Sequence, residues 1–570
     1  MNTAVIRVSN LTYSYPGAKK PTLKDISFAI NKGEFVLLIG ASGSGKSTLI
    51  QSLNGIIPKI KGGDTSGEIL ISGMDVAEHR VQELASKIGI IFQDPESQLC
   101  SLFIKDEVAF GPENFKIDKD EILGRVGEAL AYVGLQNAEK KYVYEISGGQ
   151  QQRLAISSVL AMEPEILALD DPTANLDPVG TDQILRVLVK MREQNKTILL
   201  ATPLLDEFIH LATRIIVLNE GTVFADGDPR EVMDKFGLQL RDRLGVWIPQ
   251  MVEIELGLRN KGISENRKNF MPISPEEMYS RYKDLTFRPS SSNRGVEALP
   301  DSVVSVKDVT FSYPDGTQAL KNVSFDIGKG RLTAILGPNG SGKSTVAKLM
   351  IGLLPIKEGN IEVCGLNVRT SKTSDITRKV GFVFQNPEHQ FVRDTVRKEI
   401  AYSLQILGRS EDEVNQGVAE MLKLFELENF AERHPVGLSG GQKRRLSVAT
   451  MLIDKPELLI LDEPTYGQDY RNVKAFMQLV KDQINQGISI VMITHSMRLV
   501  QEFADDIVVI RSGSVDYVGS PDKLWECERI TRDDTLKPPP LQELIKLFRD
   551  NGNTISNDVR RVQDFVETVI

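Results

Sequence analysis

The sequence predicts an α/β protein built from two copies of one phosphate-binding domain, and three observations carry that prediction. The two halves repeat one another in order: LTYSYPGAKKPTLKDISFAI resembles VTFSYPDGTQALKNVSFDI, GASGSGKST matches GPNGSGKST, IGIIFQDPESQ matches VGFVFQNPEHQ, and EISGGQQQRLAIS matches GLSGGQKRRLSVA. The strongest apolar runs, FVLLIG and LLIL, are short and do not alternate, as expected of parallel strands buried on both faces. Each half also places a glycine-rich loop between such a strand and a helical pattern, the context a phosphate-binding loop requires.

The spacing fixes the organisation. Gln93 and Gln385, Ser147 and Ser439, and Asp170 and Asp462 are each 292 positions apart, whereas Lys46 and Lys343 are 297 apart. The first copy therefore carries five additional residues in its PKIKGGDTSG stretch. A period this long is a duplicated domain, not a solenoid repeat. The match runs on into IPQMVEIELGLRNKG and PPPLQELIKLFRDNG, each read as a helical appendage introduced by proline. The boundaries predicted are a first domain over residues 3–245, its helical extension over 246–285, a linker over 286–302, a second domain over 303–535 and its extension over 536–570. The polar, helix-poor FRPSSSNRG marks the linker.

Composition narrows the class. Of 570 residues, 41 % are apolar and 25 % charged, which is ordinary globular material. A net charge of −9 weighs against a bulk nucleic-acid binder, which presents a basic surface to phosphates. Cys100, Cys364 and Cys527 are scattered, forming neither a disulfide framework nor a CxxC site, as expected in a reducing cytoplasm. No apolar run approaches the ~18–20 residues that cross a bilayer, and MNTAVIRVSN lacks a signal-peptide core. Any membrane role would be exercised from the surface, through a partner.

The elements follow in chain order. Gly40, Ala41, Ser42, Gly43, Ser44, Gly45, Lys46, Ser47 and Thr48 form the first phosphate loop. Its glycines let backbone N–H groups face a phosphate, and the next helix adds positive potential at its N-terminus. Lys46 supplies charge to the β/γ phosphates, and Ser47 can ligate Mg²⁺. Gly337, Pro338, Asn339, Gly340, Ser341, Gly342, Lys343, Ser344 and Thr345 repeat the arrangement. In ISGGQ and LSGGQ, Ser147 and Ser439 cap a helix that begins with Gly148, Gly149 and Gln150 or with Gly440, Gly441 and Gln442. Each is a second anion-binding helix start. ILALDD and LLILDE are apolar strands ending in paired carboxylates: Asp170 and Asp462 to hold Mg²⁺, Asp171 and Glu463 to polarise an attacking water.

In this order, with an aromatic residue near the first strand and a histidine after the last motif, the chain resembles the ATP-binding-cassette (ABC) ATPases over nearly its whole length. The resemblance implies tandem ABC P-loop domains, each with a RecA-like α/β core, an antiparallel β subdomain, a helical signature subdomain and a C-terminal helical extension. It assigns Tyr15 and Tyr313 to the adenine, Gln93 and Gln385 to the Q-loop and Mg²⁺, and His495 to the γ-phosphate. The family's head-to-tail pairing implies an internal pseudo-dimer with two composite ATP sites. Site one joins Lys46, Ser47, Gln93, Asp170 and Asp171 with Ser439, Gly440, Gly441 and Gln442; site two joins Lys343, Ser344, Gln385, Asp462, Glu463 and His495 with Ser147, Gly148, Gly149 and Gln150. Pro203 stands at the histidine position of copy one, so site one lacks that donor and carries the shorter Asp171: an ATP-binding but degenerate site is expected there. The other histidines, His79, His210, His389 and His434, do not cluster as a metal site.

FQDPESQ and FQNPEHQ, with EVAFGPEN following in copy one, are similar to energy-coupling-factor ATPases, which include cobalt- and nickel-type importers. That similarity implies an ATPase powering uptake of a vitamin or transition-metal ion from the cytoplasmic face of the membrane. Its partners would be an integral-membrane coupling protein, expected to touch the segments from Gln93 to Phe110 and Gln385 to Tyr402, and a membrane substrate-binding protein. A second class stays open, soluble tandem cassette ATPases acting on ribosomes or nucleic acid. Those carry a long charged helical arm or iron–sulfur cysteines, and this sequence has neither.

Overall fold

The computed structural model describes residues 4–174, 176–263, 270–288, 301–465, 467–531 and 536–570. The chain divides into two compact units, Met1–Asp284 with Asp469–Arg471, and Leu285–Gln468 with Asn472–Ile570. Most of the expected linker, residues 289–300, lies outside the described residues.

The first unit holds strands β1 (Ala4–Ser14), β2 (Leu23–Asn31), β3 (Phe35–Ile39), β4 (Asp64–Ile71), β5 (Met74–Asp75), β6 (Ile88–Ile91), β7 (Ile166–Asp170), β8 (Thr197–Ala201), β9 (Arg214–Asn219) and β10 (Thr222–Gly227). They form two sheets, a four-stranded antiparallel one in the order β2-β1-β4-β5 and a six-stranded one in the order β10-β9-β3-β8-β7-β6. In the larger sheet β9, β3, β8, β7 and β6 are parallel, and β10 closes the edge antiparallel to β9. Burial explains the difference between the two sheets. FVLLI, ILALD and TILLA are buried at every position, covered on both faces. AVIRVSNLTYS keeps exposed positions between buried ones, as a one-sided strand does.

The second unit repeats this with β11 (Ser302–Ser312), β12 (Gln318–Gly328), β13 (Leu332–Leu336), β14 (Glu358–Val363), β15 (Leu366–Asn367), β16 (Val380–Val383), β17 (Leu458–Asp462), β18 (Ser489–Ile493), β19 (Asp506–Arg511) and β20 (Ser514–Gly519). Its sheets run β12-β11-β14-β15 and β16-β17-β18-β13-β19-β20, the same topology strand for strand. Between β6 and β7 the first unit inserts helices Ile104–Asn114, Lys119–Tyr132 and Gly148–Leu160; between β16 and β17 the second inserts Val396–Ile406, Glu411–Leu424 and Gly440–Leu452.

Two differences separate the units. The five additional residues of the first lengthen β4 to eight residues against six in β14, so that it pairs with β1 as far as Ser14↔Asp64. Tyr13 fixes this stretch by donating its hydroxyl to Gly62 O at 2.7 Å, a bond Phe311 cannot make at the same place in the second unit. The C-terminal parts also differ. The first unit ends on helices Gln250–Asn260 and Pro275–Tyr282, the second on Pro540–Asp550 and Val562–Thr568. Phe287 packs into the second unit, 5.0 Å from the Phe548 ring and 5.6 Å from Phe565, and bridges to Val569. No helix among the described residues is long and apolar enough to cross a membrane.

Candidate functional site

In an open parallel sheet, ligands bind beyond the carboxyl ends of the strands. The motifs singled out in the sequence leave these ends, apart from the signature serines and from Tyr15 and Tyr313, which follow β1 and β11 of the antiparallel sheets. In the first unit β3 runs into the phosphate loop, β8 into Thr202 and Pro203, β7 into Asp170 and Asp171, and β6 into Gln93. These four strands are neighbours in the sheet. In the second unit β13, β18, β17 and β16 deliver Lys343, His495, Asp462 with Glu463, and Gln385 in the same order.

The loop itself needs glycine for two separate reasons. Gly45 and Gly342 precede the helices Lys46–Leu53 and Lys343–Met350 with φ of 105° and 108°, a left-handed conformation that costs an L side chain about 1–2 kcal/mol. Gly40 and Gly337 instead sit against backbone: a Cβ would lie 2.3 Å from Leu218 O and 2.0 Å from Ile510 O. The lysines turn back over the loop. Lys46 Nζ donates to Gly40 O and Ala41 O at 2.7 and 2.9 Å, and Lys343 Nζ to Gly337 O and Pro338 O at 2.8 and 2.8 Å. Burial lowers the Lys46 pKa, and the carboxylates of Asp170 and Asp171 oppose the shift. Thr48 and Thr345 share hydrogen bonds with the hydroxyls of Tyr15 and Tyr313 at 3.1 and 3.0 Å, which sets both tyrosines beside the loop helix.

The strand-end carboxylates sit on strained turns. Asp171 and Glu463 both have φ of 47°, held by bonds from their N–H groups to Ala201 O and Ile493 O. Left-handed backbone suits aspartate better than glutamate, so Glu463 is the more strained. Burial pushes Glu463 up to about 8, with Asp462 adding and Lys343 opposing. Burial likewise pushes Asp171 up to about 7, with Asp170 adding and Lys46 opposing. Asp170 and Asp462 are also raised by burial, and each is drawn back by a hydrogen bond from Ser47 or Ser344. A hydroxyl and a carboxylate brought together in this way are the hard oxygen donors Mg²⁺ takes.

The two units part at the strand that follows. His495 Nε2 lies 3.3 Å from Glu463 Oε1, a distance for an ion pair when the ring is protonated, without the alignment of a hydrogen bond. Thr494 Oγ1 and Thr202 Oγ1 make the same turn, accepting from Ser496 N and Leu204 N at 3.1 Å each. The backbone of copy one is thus kept, while Pro203 puts no donor beside Asp171.

The signature helices begin as expected, with Ser147 and Ser439 as N-caps. Gln150 and Gln442 have a part the sequence reading did not give them. Each Oε1 accepts from the capping serine's own N–H, at 3.0 and 2.9 Å, closing a capping box that S-x-x-Q announces. Sequence reasoning also passed over Glu107 and Glu399. Both are buried, 4 % and 3 % exposed, and each ties down the segment after the Q-loop. Glu107 Oε2 accepts from Cys100 N and Ser101 N at 2.9 and 2.7 Å, and Glu399 Oε2 from Val392 N and Arg393 N at 2.9 and 2.6 Å. A glutamate on the apolar face of EVAFGPEN was the available signal.

Comparison with known proteins agrees with this geometry. The profile of the ABC transporter family matches residues 23–174 and 320–466, one stretch in each unit. A "Putative ABC transporter ATP-binding protein" of Methanosarcina mazei is 37 % identical over 523 residues, covering 90 % of this chain and 88 % of the relative. The "Putative HMP/thiamine import ATP-binding protein YkoD" of Bacillus subtilis is 35 % identical over 530 residues, covering 92 % of this chain and 93 % of the relative. The solved structure of cbiO1 from Clostridium perfringens, described as part of the ABC transporter complex cbiONQ, is 31 % identical with a TM-score of 0.38, covering 43 % of this chain and 99 % of its own. Two phosphate loops, two signature helices and two carboxylate strand ends on a duplicated α/β scaffold place the chain in the ABC transporter family, as a tandem ATP-binding protein and ATPase.

Proposed function

We propose that this chain is the ATPase subunit of an energy-coupling-factor-type importer, driving uptake of a vitamin or a transition-metal ion. The observation that carries the reading is the end-to-end similarity to a tandem protein named for HMP/thiamine import, 35 % identical over 92 % of this chain. FQDPESQ, FQNPEHQ and the proline-led extensions support it. The working complex contains an integral-membrane coupling protein and a membrane substrate-binding protein, with this chain peripheral on the cytoplasmic face.

Within the chain, ATP is held at two composite sites, each completed by the other copy's signature serine and glycines. Mg²⁺ is held by Ser47, Asp170 and Gln93 in site one and by Ser344, Asp462 and Gln385 in site two. It neutralises phosphate charge there, while the chain's own groups position the water. Site two hydrolyses, because Glu463 and His495 stand together at 3.3 Å. Site one binds and holds, because Asp171 is one methylene short and Pro203 has no donor.

Affinity purification of the tagged chain from detergent-solubilised membranes tests the importer assignment. The expected result is co-elution of a small hydrophobic integral-membrane protein. Co-elution of ribosomal RNA with no membrane protein contradicts it.

A further inference from the structure

The two units tether the Q-loop to their own signature helix in different ways. In the second unit Arg444, only 4 % exposed, sends its guanidinium fork to the carbonyls on either side of the Gln385 amide: Nη1 to Phe384 O at 2.7 Å and Nη2 to Gln385 O at 2.6 Å. Gln390 answers from the Q-loop side, donating to Ser447 O and Thr450 Oγ1 at 2.9 and 2.7 Å. Lys443 adds an ion pair to Glu388 at 2.5 Å. In the first unit the position of Arg444 is filled by Gln152, which makes one long bond to Phe92 O at 3.5 Å. Gln98, in the place of Gln390, turns inward to its own strand and bonds Phe92 N and Ile90 O.

A buried guanidinium is costly unless it is neutralised and its donors are met. Asp462 and Glu463 act on Arg444 electrostatically, and two carbonyls receive its fork. The first unit has the same topology with a neutral glutamine at this place, so the topology alone does not call for arginine. The charge occurs in the unit that also has Glu463 and His495.

We propose that Arg444 is a positioning residue for site two, fixing Gln385 at the end of β16 and tying its placement to the signature helix Gly440–Leu452. The proposal rests on the assignment of hydrolysis to site two. A planar fork bonded to two neighbouring carbonyls is not reproduced by an ammonium.

The test uses the full-length chain as wild type, Arg444→Gln, Arg444→Lys and Glu463→Gln. ATPase rate is read against ATP and against Mg²⁺, with thermal unfolding and amide exchange over residues 384–391. Arg444→Gln is expected to lower kcat about 10- to 100-fold, as loss of an outer support typically does. The KM for ATP should stay within about 2-fold, the pattern of an interaction that matters after binding. The Mg²⁺ half-saturation should rise, and exchange over 384–391 should quicken while the unfolding temperature holds. Arg444→Lys is expected not to restore the rate. Wild-type kcat and Mg²⁺ dependence in folded Arg444→Gln overturn the proposal, as does full rescue by lysine. Where Arg444→Gln does not fold, Arg444→Lys is read alone, and a wild-type rate in it overturns the proposal. Persistent turnover in Glu463→Gln removes the assignment of site two itself. An inactive Glu463→Gln with an unimpaired Arg444→Gln removes only the part given to Arg444.

Discussion

Glu463 and Asp171 occupy the same left-handed turn, on the same strand end, with the same backbone bond beneath them. What differs is one methylene and the residue two positions beyond β18 or β8, His495 in one copy and Pro203 in the other. A catalytic group misplaced by about 1 Å can lose on the order of 100-fold in rate. The deficit proposed for site one would therefore be a matter of reach and of a missing donor, and it should be repairable. In a Glu463→Gln background, adding Asp171→Glu with Pro203→His is expected to raise ATPase activity at least ~10-fold over Glu463→Gln alone, since general acid–base groups contribute about 10²–10⁴-fold. Steady-state phosphate release checks it; no gain would place the deficit of site one elsewhere. These positions were legible in the sequence because each stands 292 positions from its counterpart in the other copy. The bonds of Arg444 were not, because KRRL gives no sign of which carbonyls a buried guanidinium will meet.

Among the elements, the signature helices could be placed from their serine caps and glycines. Glu107 and Glu399 could not, because a glutamate on a helix reads as solvated until the chain that folds over it is known. Each takes two backbone donors into one carboxylate oxygen. A hydrogen bond to a charged group contributes about 1.5–3 kcal/mol. Glu399→Ala should therefore lower the unfolding temperature clearly, and Glu399→Gln less, because its amide oxygen still accepts; differential scanning calorimetry separates them. The extension of the first unit offers a pH test. Burial alone would raise the Glu277 pKa, but hydrogen bonds from Arg230 and Ile273 N hold it below its ordinary 4.5. The carboxylate's contribution is therefore complete above the ordinary value and lost as pH falls through the depressed one. Limited proteolysis should show the helix Pro275–Tyr282 loosening in acid below that ordinary value. Glu277→Gln should already be loosened at neutral pH and lose the acid step.

At the scale of the whole molecule, duplication was the clearest message of the sequence. Spacings of 292 and 297 became two sets of sheets with one topology, and the five-residue difference became a longer β4 pinned by Tyr13. Where the halves divide was less legible: FRPSSSNRG reads as polar linker, yet its Phe287 is an aromatic anchor of the second unit. A single aromatic in a polar run gives no indication of the partner that will bury it. The copies diverge at Asp171, Pro203 and Gln152, and the proposed function assigns hydrolysis to one copy and nucleotide holding to the other. The most direct measurement is the ATPase rate of Glu463→Gln beside Asp171→Asn, each in the full-length chain at saturating ATP and Mg²⁺. Loss of most activity in Glu463→Gln with little change in Asp171→Asn is the predicted result, and equal losses in the two would contradict it.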